Sequence, residues 1–484
     1  MTSTRERFQK SPNWDVSENL LNTMNFPHFI KTLIPKKLFK KFQPAYHLTL
    51  AWLAAFWYRH PSEKLIVIGV TGTTGKTTVI YLIAKILEQA GFSVGVTSTA
   101  LFKVGATEWN NDKKMTMPGR FFTQKMLARM VKENCQYAII ETTSEGIEQF
   151  RHRFINYDIC VFTGIYPEHI DSHGSFENYK AAKLKLFAHL AAGKLKYVNE
   201  ARAVQVIKNE LKKIHCERVK KTIIVNGEDG HVAEFLNFNV DQKISCQPSA
   251  ISYQNEEKFF PVRKSSSGAG GIRFHVDDEM FQLKLMGAFN ISNALAAVAL
   301  GLSQAVPLGT IQAGLEKISG VPGRFERVDE GQTFGVIVDY AFEPNAVTKL
   351  YETIAQLPHE KILHVLGATG GGRDAARRPV LGRIAGERAD IVIVTNEDPY
   401  DDVPEIIMDQ VAVGAEKAGK VLGENLFKIL ERRSAIRKAL QLAKVDDIVL
   451  ITGKGNEQAI CVAGGKKIPW DDRVVAREEL RKLI

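Results

Sequence analysis

The chain has 484 residues and a formal net charge of +10. At roughly 150 residues per domain this length excludes a single hydrophobic core and indicates about three domains. Its five cysteines are scattered without a C-x-x-C pair, which argues against a disulfide framework or a zinc site and favours a reducing, cytoplasmic location. The sequence begins without a recognisable secretion signal, and no nucleic-acid-binding motif accompanies the basic N-terminal region. We therefore expect no nucleic-acid partner.

The N-terminal part, residues 1–62, contains a basic, aromatic stretch at 29–42 and an apolar run at 47–58. This run is too short to span a bilayer, which needs about 20 residues. We favour a helix packed on the neighbouring domain. The alternative is peripheral contact of residues 29–58 with a membrane or a lipid-linked substrate, with lysines near anionic head groups and aromatic rings in the boundary layer. The side chains concerned are Lys36, Lys37, Lys40, Lys41, Trp52, Phe56 and Trp57.

A glycine-rich turn follows the first strand-like run, Leu65–Val70. The turn ends in Gly75, Lys76 and Thr77, and a helix is predicted over Val79–Glu88. Backbone N–H groups of such a turn cradle phosphates, the lysine adds a mobile positive charge, and the threonine hydroxyl is suited to Mg²⁺. ATP or GTP is therefore the first ligand to consider. The alternative is a glycine-rich turn that binds nothing.

Strand-like and helical patterns alternate from about Lys64 to Ile318, which predicts a parallel sheet covered by helices. The predicted strands are Leu65–Val70, Ser93–Ser98, Tyr137–Glu141, Ile159–Ile165, Leu195–Asn199 and Thr222–Val225. Between Glu217 and Met286 the pattern becomes short and polar, which indicates an antiparallel insertion with a loop at Ser265–Gly271.

A new strand-and-helix rhythm begins near Gly320, with a second glycine-rich loop at Gly367–Arg373. Its strands are predicted at Val336–Val338, Ile362–Leu366, Ile391–Thr395 and Ile448–Thr452. Its helices are predicted at Asn345–Ala355, Arg378–Glu387, Pro404–Gly414 and Ser434–Ala443. We thus predict an α/β protein: a short helical N-terminal segment (1–62), a P-loop central domain with a mostly parallel sheet (63–319) and a C-terminal Rossmann-like α/β domain (320–484).

Polar side chains follow the strands that come after the glycine-rich turn. Glu141 ends an apolar strand, where a nucleotide-hydrolysing fold would place a Mg²⁺ ligand. His169, Asp171 and His173 alternate beyond the next strand, and this set suits Mg²⁺ or Zn²⁺. Lys183 shares a helix face with Tyr179 and Phe187, which is an unusual setting for a solvated lysine.

Seven motifs along the chain carry a specific resemblance. They are Thr71–Thr78 (TGTTGKTT), Glu168–Gly174 (EHIDSHG), Tyr179–Leu184 (YKAAKL), Gly287–Asn293 (GAFNISN), Val321–Arg327 (VPGRFER), Asp339–Ala341 (DYA) and Gly453–Glu457 (GKGNE). With these motifs the chain resembles the Mur ligase family over residues 64–484.

The resemblance implies an ATP-dependent, ADP-forming amide ligase of peptidoglycan synthesis. In this family ATP phosphorylates a carboxylate of the substrate, and an amine then attacks the acyl phosphate. The implied cofactors are ATP and two Mg²⁺ ions. The implied substrates are a muramoyl-peptide precursor and an amino acid such as diaminopimelate or lysine, and we expect a monomer.

The resemblance also implies roles for individual residues. The catalytic residues are Lys76, His169 and Lys183, with Lys183 carbamylated so that it becomes a carboxylate-like metal ligand. The nucleotide-binding residues are Gly72, Thr73, Thr74, Gly75, Lys76, Thr77, Thr78, Asn290, Arg324 and Asp339. The metal ligands are Thr77, Glu141, His169 and Lys183. The substrate-binding residues are Thr116, Ser144, Asp398, Tyr400, Gly453 and Glu457.

Some positions depart from the family pattern. The family's UDP-sugar-binding domain is longer than residues 1–62, which leaves open whether the acceptor is UDP-linked or lipid-linked. The family's Asp-Asn-Pro-Arg, whose arginine binds diaminopimelate, is replaced by Glu397–Tyr400 (EDPY), and Tyr400 is compatible with lysine or another amino acid. Glu145 and Phe342 stand where the family has histidines. Two other hypotheses remain: a ligase of folylpolyglutamate or polyglutamate type, and a non-catalytic nucleotide-binding paralogue.

Overall fold

The computed structural model describes residues 36–168, 173–200, 202–207, 213, 215–254 and 256–483. It begins with helix α1 (Lys36–Trp57), which runs through the end of the basic stretch and most of the apolar run. Among the described residues, none of the helices combines the length and apolar character needed to cross a membrane.

The described residues before 284 contain fifteen strands. They are β1 (Ile66–Thr71), β2 (Val94–Thr97), β3 (Leu101–Val104), β4 (Thr107–Asn110), β5 (Tyr137–Glu141), β6 (Ile159–Phe162), β7 (Tyr197–Asn199), β8 (Val204–Gln205), β9 (Cys216–Arg218), β10 (Thr222–Asn226), β11 (Gln242–Gln247), β12 (Ala250–Tyr253), β13 (Phe259–Gly268), β14 (Gly271–Val276) and β15 (Glu279–Leu283). Twelve of them form the central sheet, in the order β15-β14-β13-β12-β11-β10-β6-β1-β5-β2-β3-β4. The six strands from β11 to β2 are parallel, and antiparallel strands extend both edges.

Helices cover both faces of the central sheet. They are α2 (Lys76–Gln89), α3 (Arg120–Lys132), α4 (Ser144–Glu148), α5 (Phe176–Ala191), α6 (Val232–Leu236), α7 (Phe289–Ser303) and α8 (Leu308–Glu316). Ile68 and Val70 of β1 pack with α2, α7 and α8, whereas Val67 packs on the other face with α3 and α5. Because side chains alternate along a strand, a strand covered on both faces is apolar throughout.

The C-terminal part has its own sheet. Its strands are β16 (Glu326–Arg327), β17 (Gly335–Asp339), β18 (Ile362–Leu366), β19 (Ile391–Thr395), β20 (Leu426–Ile429) and β21 (Ile448–Thr452), followed by the hairpin β22 (Ala459–Val462) and β23 (Lys466–Pro469). Its helices are α9 (Pro344–Ile354), α10 (Arg377–Arg388), α11 (Pro404–Lys417), α12 (Arg432–Leu442) and α13 (Asp472–Leu480). The order is β16-β17-β21-β18-β19-β20, parallel except for β16. The α/β fold class is confirmed.

Helix α1 packs on α3 and buries Ala51, Ala54 and Ala55, which confirms the predicted packing on the neighbouring part of the chain. The opposite face of α1 is exposed and aromatic. Its exposed apolar residues are Phe42, Tyr46, Trp52, Leu53, Phe56 and Trp57. Residues 29–35 and the side chains of Lys36, Lys37, Lys40 and Lys41 lie outside what the structure describes.

One sheet assignment and one loop prediction were wrong. The run Leu195–Asn199 does not join the central sheet, because β7 pairs instead with β8 and β9 in a separate antiparallel sheet. The Ser265–Gly271 loop is mostly strand, since β13 continues to Gly268 and turns tightly into β14. The antiparallel region itself is present, as an extension of the central sheet.

Candidate active site

At two of its glycines, the turn after β1 passes very close to neighbouring side chains. Gly72 and Gly75 have φ angles of 153° and 82°. A Cβ atom on Gly72 would lie 2.0 Å from the Thr163 hydroxyl oxygen, and one on Gly75 would lie 2.4 Å from the side-chain oxygen of Asn293. Only glycine therefore fits at these two positions. The turn leads into α2, whose N-terminal N–H groups face the cavity described below.

Lys76 is the first residue of α2, and its ammonium group folds back over the turn. Its Nζ donates to the carbonyl oxygens of Gly72 (3.1 Å) and Thr73 (2.7 Å). Burial lowers the pKa of Lys76, although Glu141 and Glu168 favour its charged form. The ammonium group thus lies where a phosphate group would compete with the loop carbonyls for it.

Thr77 and Glu141 form a cluster of oxygen atoms beside Lys76. The Thr77 hydroxyl donates to both carboxylate oxygens of Glu141 (3.1 and 3.2 Å). Glu141 also accepts hydrogen bonds from the backbone N–H (2.7 Å) and the hydroxyl (2.8 Å) of Thr99. Hydroxyl and carboxylate oxygens are the donors that Mg²⁺ prefers, and Mg²⁺ usually takes one or two carboxylates together with substrate phosphates. The donor set therefore fits Mg²⁺.

Lys183 of α5 is fully buried close to the turn. Its Nζ donates to the carbonyl oxygen of Gly72 (2.8 Å) and lies 4.5 Å from the centre of the Tyr179 ring. Burial, reinforced by the charge of Lys76, lowers the pKa of Lys183 well below its usual value. Within the described ranges Lys183 forms no ion pair, and the charge of Glu168 opposes the effect of burial only in part.

The predicted set of His169, Asp171 and His173 is only partly visible, because His169 and Asp171 lie outside the described residues. His173 is described, and its Nε2 lies 3.1 Å from the Ser144 hydroxyl. In the part of the chain that the structure covers, no three His, Cys, Asp or Glu side chains form a ready-made metal site. That these three residues bind a metal ion together stays a prediction.

Two carboxylates that the sequence analysis did not single out lie near Lys76. Burial, followed by the charge of Glu343, raises the pKa of Glu168 to about 7. Burial also raises the pKa of Glu343, which accepts a hydrogen bond from the Tyr166 hydroxyl. Glu168 lies inside the EHIDSHG motif, so the motif could have identified it as a site residue. No motif in the sequence around Glu343 indicates that it lies at the site.

The C-terminal sheet contributes Asp339, at the end of β17, and Arg324. The Asp339 carboxylate accepts from the N–H groups of Phe325 and Ala341, each at 2.6 Å, and burial raises its pKa. Arg324 stacks over the Tyr340 ring at 4.4 Å and reaches the Thr77 hydroxyl at 3.3 Å. Arg324 therefore joins the C-terminal part directly to the glycine-rich turn.

One cavity of about 1120 Å³ lies between the two sheets. The carboxyl ends of β1, β5, β17 and β21 lead to it, as expected for parallel sheets. Most of the predicted site residues line it, namely Thr73, Thr74, Gly75, Lys76, Thr77, Thr78, Thr116, Glu141, Ser144, Asn290, Arg324, Asp339, Asp398, Tyr400, Gly453 and Glu457. Gly72 and Lys183 lie behind this lining and contact each other. The cavity can therefore hold phosphates near Lys76 and a second reactant near Asp398 and Glu457.

Two lysines near Asp398 and Glu457 were not predicted as site residues. Lys114 comes from the segment between β4 and α3, and Lys454 lies within the GKGNE motif. Both ammonium groups contact both carboxylates, at 2.6 to 3.2 Å. A lysine in a polar segment gives no local signal that it will meet a carboxylate 284 positions away.

Comparison with known proteins gives consistent matches along the chain. Residues 70–301 match the Mur ligase middle domain, and residues 323–455 match the Mur ligase glutamate ligase domain. The UDP-N-acetylmuramyl-tripeptide synthetase of Roseiflexus sp. (strain RS-1) is 37% identical over 448 residues, covering 91% of this chain and 83% of that relative. The UDP-N-acetylmuramoyl-L-alanyl-D-glutamate–2,6-diaminopimelate ligase of Syntrophomonas wolfei subsp. wolfei is 34% identical, covering 90% and 82%.

Solved structures share the fold at lower identity. A UDP-N-acetylmuramoyl-L-alanyl-D-glutamate–2,6-diaminopimelate ligase aligns with a TM-score of 0.54 and 23% identity, covering 87% of this chain and 79% of its own. Mycobacterium tuberculosis folylpolyglutamate synthase aligns with a TM-score of 0.63 and 17% identity, covering 90% and 95%. At these identities the likeness concerns the fold alone.

Proposed function

The chain belongs to the Mur ligase family, and on that basis we propose that it joins an amino acid to a carboxyl group of a muramoyl-peptide precursor in an ATP-dependent reaction. The observation that carries this proposal is the shared cavity. Lys76, Thr77 and Glu141 line it, and so do Asp398 and Glu457. A phosphate donor and an amino acid can therefore be held in the same cavity, with the carboxylate between them.

The chemistry proceeds in two steps. A carboxylate oxygen of the acceptor attacks the terminal phosphorus of ATP, and ADP leaves. The amine of the amino acid then attacks the carbonyl carbon of the acyl phosphate, loses a proton, and phosphate leaves as the amide forms. Lys76 would hold the phosphates, and Asn290, Arg324 and Asp339 would hold the nucleotide. Catalysis then rests on positioning and charge neutralisation.

Metal ions belong to the same proposal. Thr77 and Glu141 would hold one Mg²⁺, and His169 and a carbamylated Lys183 would hold a second. When bound, Mg²⁺ neutralises the charge of the phosphates that are being transferred. The support for carbamylation is chemical: only a neutral amine attacks carbon dioxide, and the lowered pKa of the buried Lys183 favours the neutral form.

A ligation assay tests the proposed function. The purified protein is incubated with ATP, Mg²⁺, a UDP-linked or lipid-linked muramoyl-dipeptide, and meso-diaminopimelate, lysine or glutamate. We expect phosphate release that requires both acceptor and amino acid, with a product mass equal to both reactants minus water. Turnover only with a folate or polyglutamate acceptor would favour the folylpolyglutamate-type ligase. Nucleotide binding without turnover would favour the non-catalytic paralogue.

We also propose that α1 contacts the surface of an anionic membrane. Trp57 is 73% exposed and Phe56 64% exposed on the face opposite the buried alanines, and the sequence of α1 begins with four lysines among its first six residues. Exposed aromatic residues next to a basic stretch are typical of helices that lie in the membrane interface. We propose that the protein is a monomer. Its five free cysteines support a reducing, cytoplasmic setting.

Replacing Trp52, Phe56 and Trp57 together by serine should weaken binding to phosphatidylglycerol-containing vesicles by ~10-fold or more, because the aromatic contacts with the interface are lost. Co-sedimentation measures this, with phosphatidylcholine vesicles as the uncharged comparison. The control exchanges Val421 and Leu422, which are also exposed, for serine and should bind like the wild type. Failure of the wild type to bind anionic vesicles would contradict the proposal.

A further inference from the structure

Four charged side chains meet beside the cavity, around Asp398 and Glu457. Lys114 Nζ lies 2.6 Å from Asp398 and 3.2 Å from Glu457, and Lys454 Nζ lies 2.8 Å from Asp398 and 2.6 Å from Glu457. The two carboxylates and two ammonium groups alternate, and their charges cancel. We call these four residues the charge quartet.

The quartet is built from both parts of the chain. Asp398, Lys454 and Glu457 follow strands β19 and β21 of the C-terminal sheet, whereas Lys114 belongs to the central part. Lys114 adopts a left-handed backbone conformation (φ 54°), and its side chain is only 4% exposed. Burial disfavours its charged form, but Glu457 and Asp398 outweigh burial and raise the pKa of Lys114. Lys114 therefore remains a cation there.

Three members of the quartet border the cavity. Lys114, Asp398 and Glu457 line the cavity, together with Tyr400 and Arg373. Among the described residues Arg373 forms no ion pair, although its charge acts on Tyr400. This part of the cavity thus contains a neutral set of four charges beside an additional cation.

The charge balance discriminates between possible side chains of the incoming amino acid. A side chain with only an ammonium group would add a third cation to two carboxylates that are already paired. A side chain with only a carboxylate can pair with Arg373, but it makes no use of the two carboxylates of the quartet. A side chain with both groups can exchange partners with the quartet, because its ammonium group takes a carboxylate and its carboxylate takes a lysine, so that every charge keeps a partner.

We propose that Lys114 is a specificity-determining residue that binds the carboxylate of an amino-acid side chain carrying both an ammonium and a carboxylate group, as in diaminopimelate. Asp398 and Glu457 bind the ammonium group of the same side chain. Tyr400 stands where the family has an arginine and carries no positive charge. Lys114 thereby supplies a positive charge to the same pocket. This inference rests on the proposed ligase function and adds the chemical class of its amino acid.

The test compares meso-diaminopimelate with lysine as substrates of the wild type and of Lys114→Met. We expect the wild type to prefer diaminopimelate by at least ~10-fold in kcat/KM. Lys114→Met should lower kcat/KM for diaminopimelate by ~10- to 100-fold, mainly through KM, which corresponds to the loss of one charge-assisted contact. Lysine should be used as well as before or better, and the KM for ATP should not change.

Two further variants make the result specific. Lys114→Arg keeps the positive charge and should keep the preference for diaminopimelate. Lys113→Met removes the neighbouring, exposed lysine, which pairs with Asp112, and should behave like the wild type. If Lys114→Met lowers kcat/KM equally for both amino acids, Lys114 only links the two parts of the chain. That result would overturn the proposal. A wild type that prefers lysine or glutamate would also overturn it.

These outcomes are distinct from failure of the ligase function itself. If no amino acid gives an amide product with any muramoyl-peptide acceptor, the proposed function is wrong and the inference falls with it. If an amide forms without preference for diaminopimelate, only the assignment to Lys114 is wrong. Product mass separates the two cases, because it reports the amide bond and not phosphate release alone.

Discussion

Lys183→Ala is expected to lower ATP-dependent ligation by about 10³-fold, because it removes one proposed ligand of the second Mg²⁺ beside the transferred phosphate. The native amine is fully buried, lies next to the Gly72 carbonyl oxygen, and has a pKa well below its usual value. A neutral buried amine can take up carbon dioxide to form a carbamate, which supplies the oxygen ligands that Mg²⁺ prefers. Phosphate release and product mass measure the loss.

Lys185→Ala is the matched control on the same helix. The Lys185 side chain is 55% exposed and pairs with Glu148, and surface ion pairs of this kind contribute little to stability. We expect activity within about twofold of the wild type. Mass spectrometry of intact protein in bicarbonate buffer should detect the carboxylate added to Lys183, and carbon-dioxide-free buffer should lower wild-type activity. Full activity of Lys183→Ala would remove Lys183 from the mechanism.

Much of the fold could be predicted because its signals are local. The apolar runs that became β1, β5, β18, β19 and β21 lie at the predicted positions within one or two residues. The glycine-rich turn, with Lys76 and Thr77, was recognisable because it needs particular residue types at fixed spacing. Since the carboxyl ends of parallel strands share one edge, the residues after those strands were also expected to meet.

The wrong predictions concern strand pairing, which the local sequence does not specify. The run Leu195–Asn199 has the composition of a strand, but composition does not reveal whether its partner is the central sheet or β9. The serines and glycines of Ser265–Gly271 resemble a loop, yet cross-strand pairing with β14 keeps most of them extended. The predicted domain limits at residues 62 and 319 stay predictions.

The charge quartet shows the same limit at the site. Glu457 and Asp398 were named because the resemblance placed them in motifs, and Lys454 stands inside one of these motifs. Lys114 lies in a polar segment next to the equally basic Lys113, and only the contact with Asp398 separates the two lysines. The motifs alone therefore show Tyr400 in place of the family's arginine and no lysine that could replace its charge. The fold brings Lys114 to this pocket from the segment between β4 and α3.

Glu141→Gln is the second change with a large expected effect. The two side chains have nearly the same shape, and the amide oxygen can still accept from the Thr99 N–H. The amide nitrogen cannot accept a hydrogen bond, and the negative charge that favours a divalent cation is lost. A loss of about 3 kcal/mol of charge stabilisation corresponds to ~100-fold in rate. We expect ligation to fall by this amount and the Mg²⁺ concentration needed for half-maximal activity to rise.

The control for this variant is Glu148→Gln. Glu148 lies a short distance along the chain at the surface, where it pairs with Lys185, and its loss should leave both turnover and Mg²⁺ dependence unchanged. Thermal unfolding of both variants establishes that the fold is kept. If Glu141→Gln has wild-type turnover at the same Mg²⁺ concentration, the carboxylate at the end of β5 holds the Thr77 and Thr99 groups in place and does not bind the metal ion.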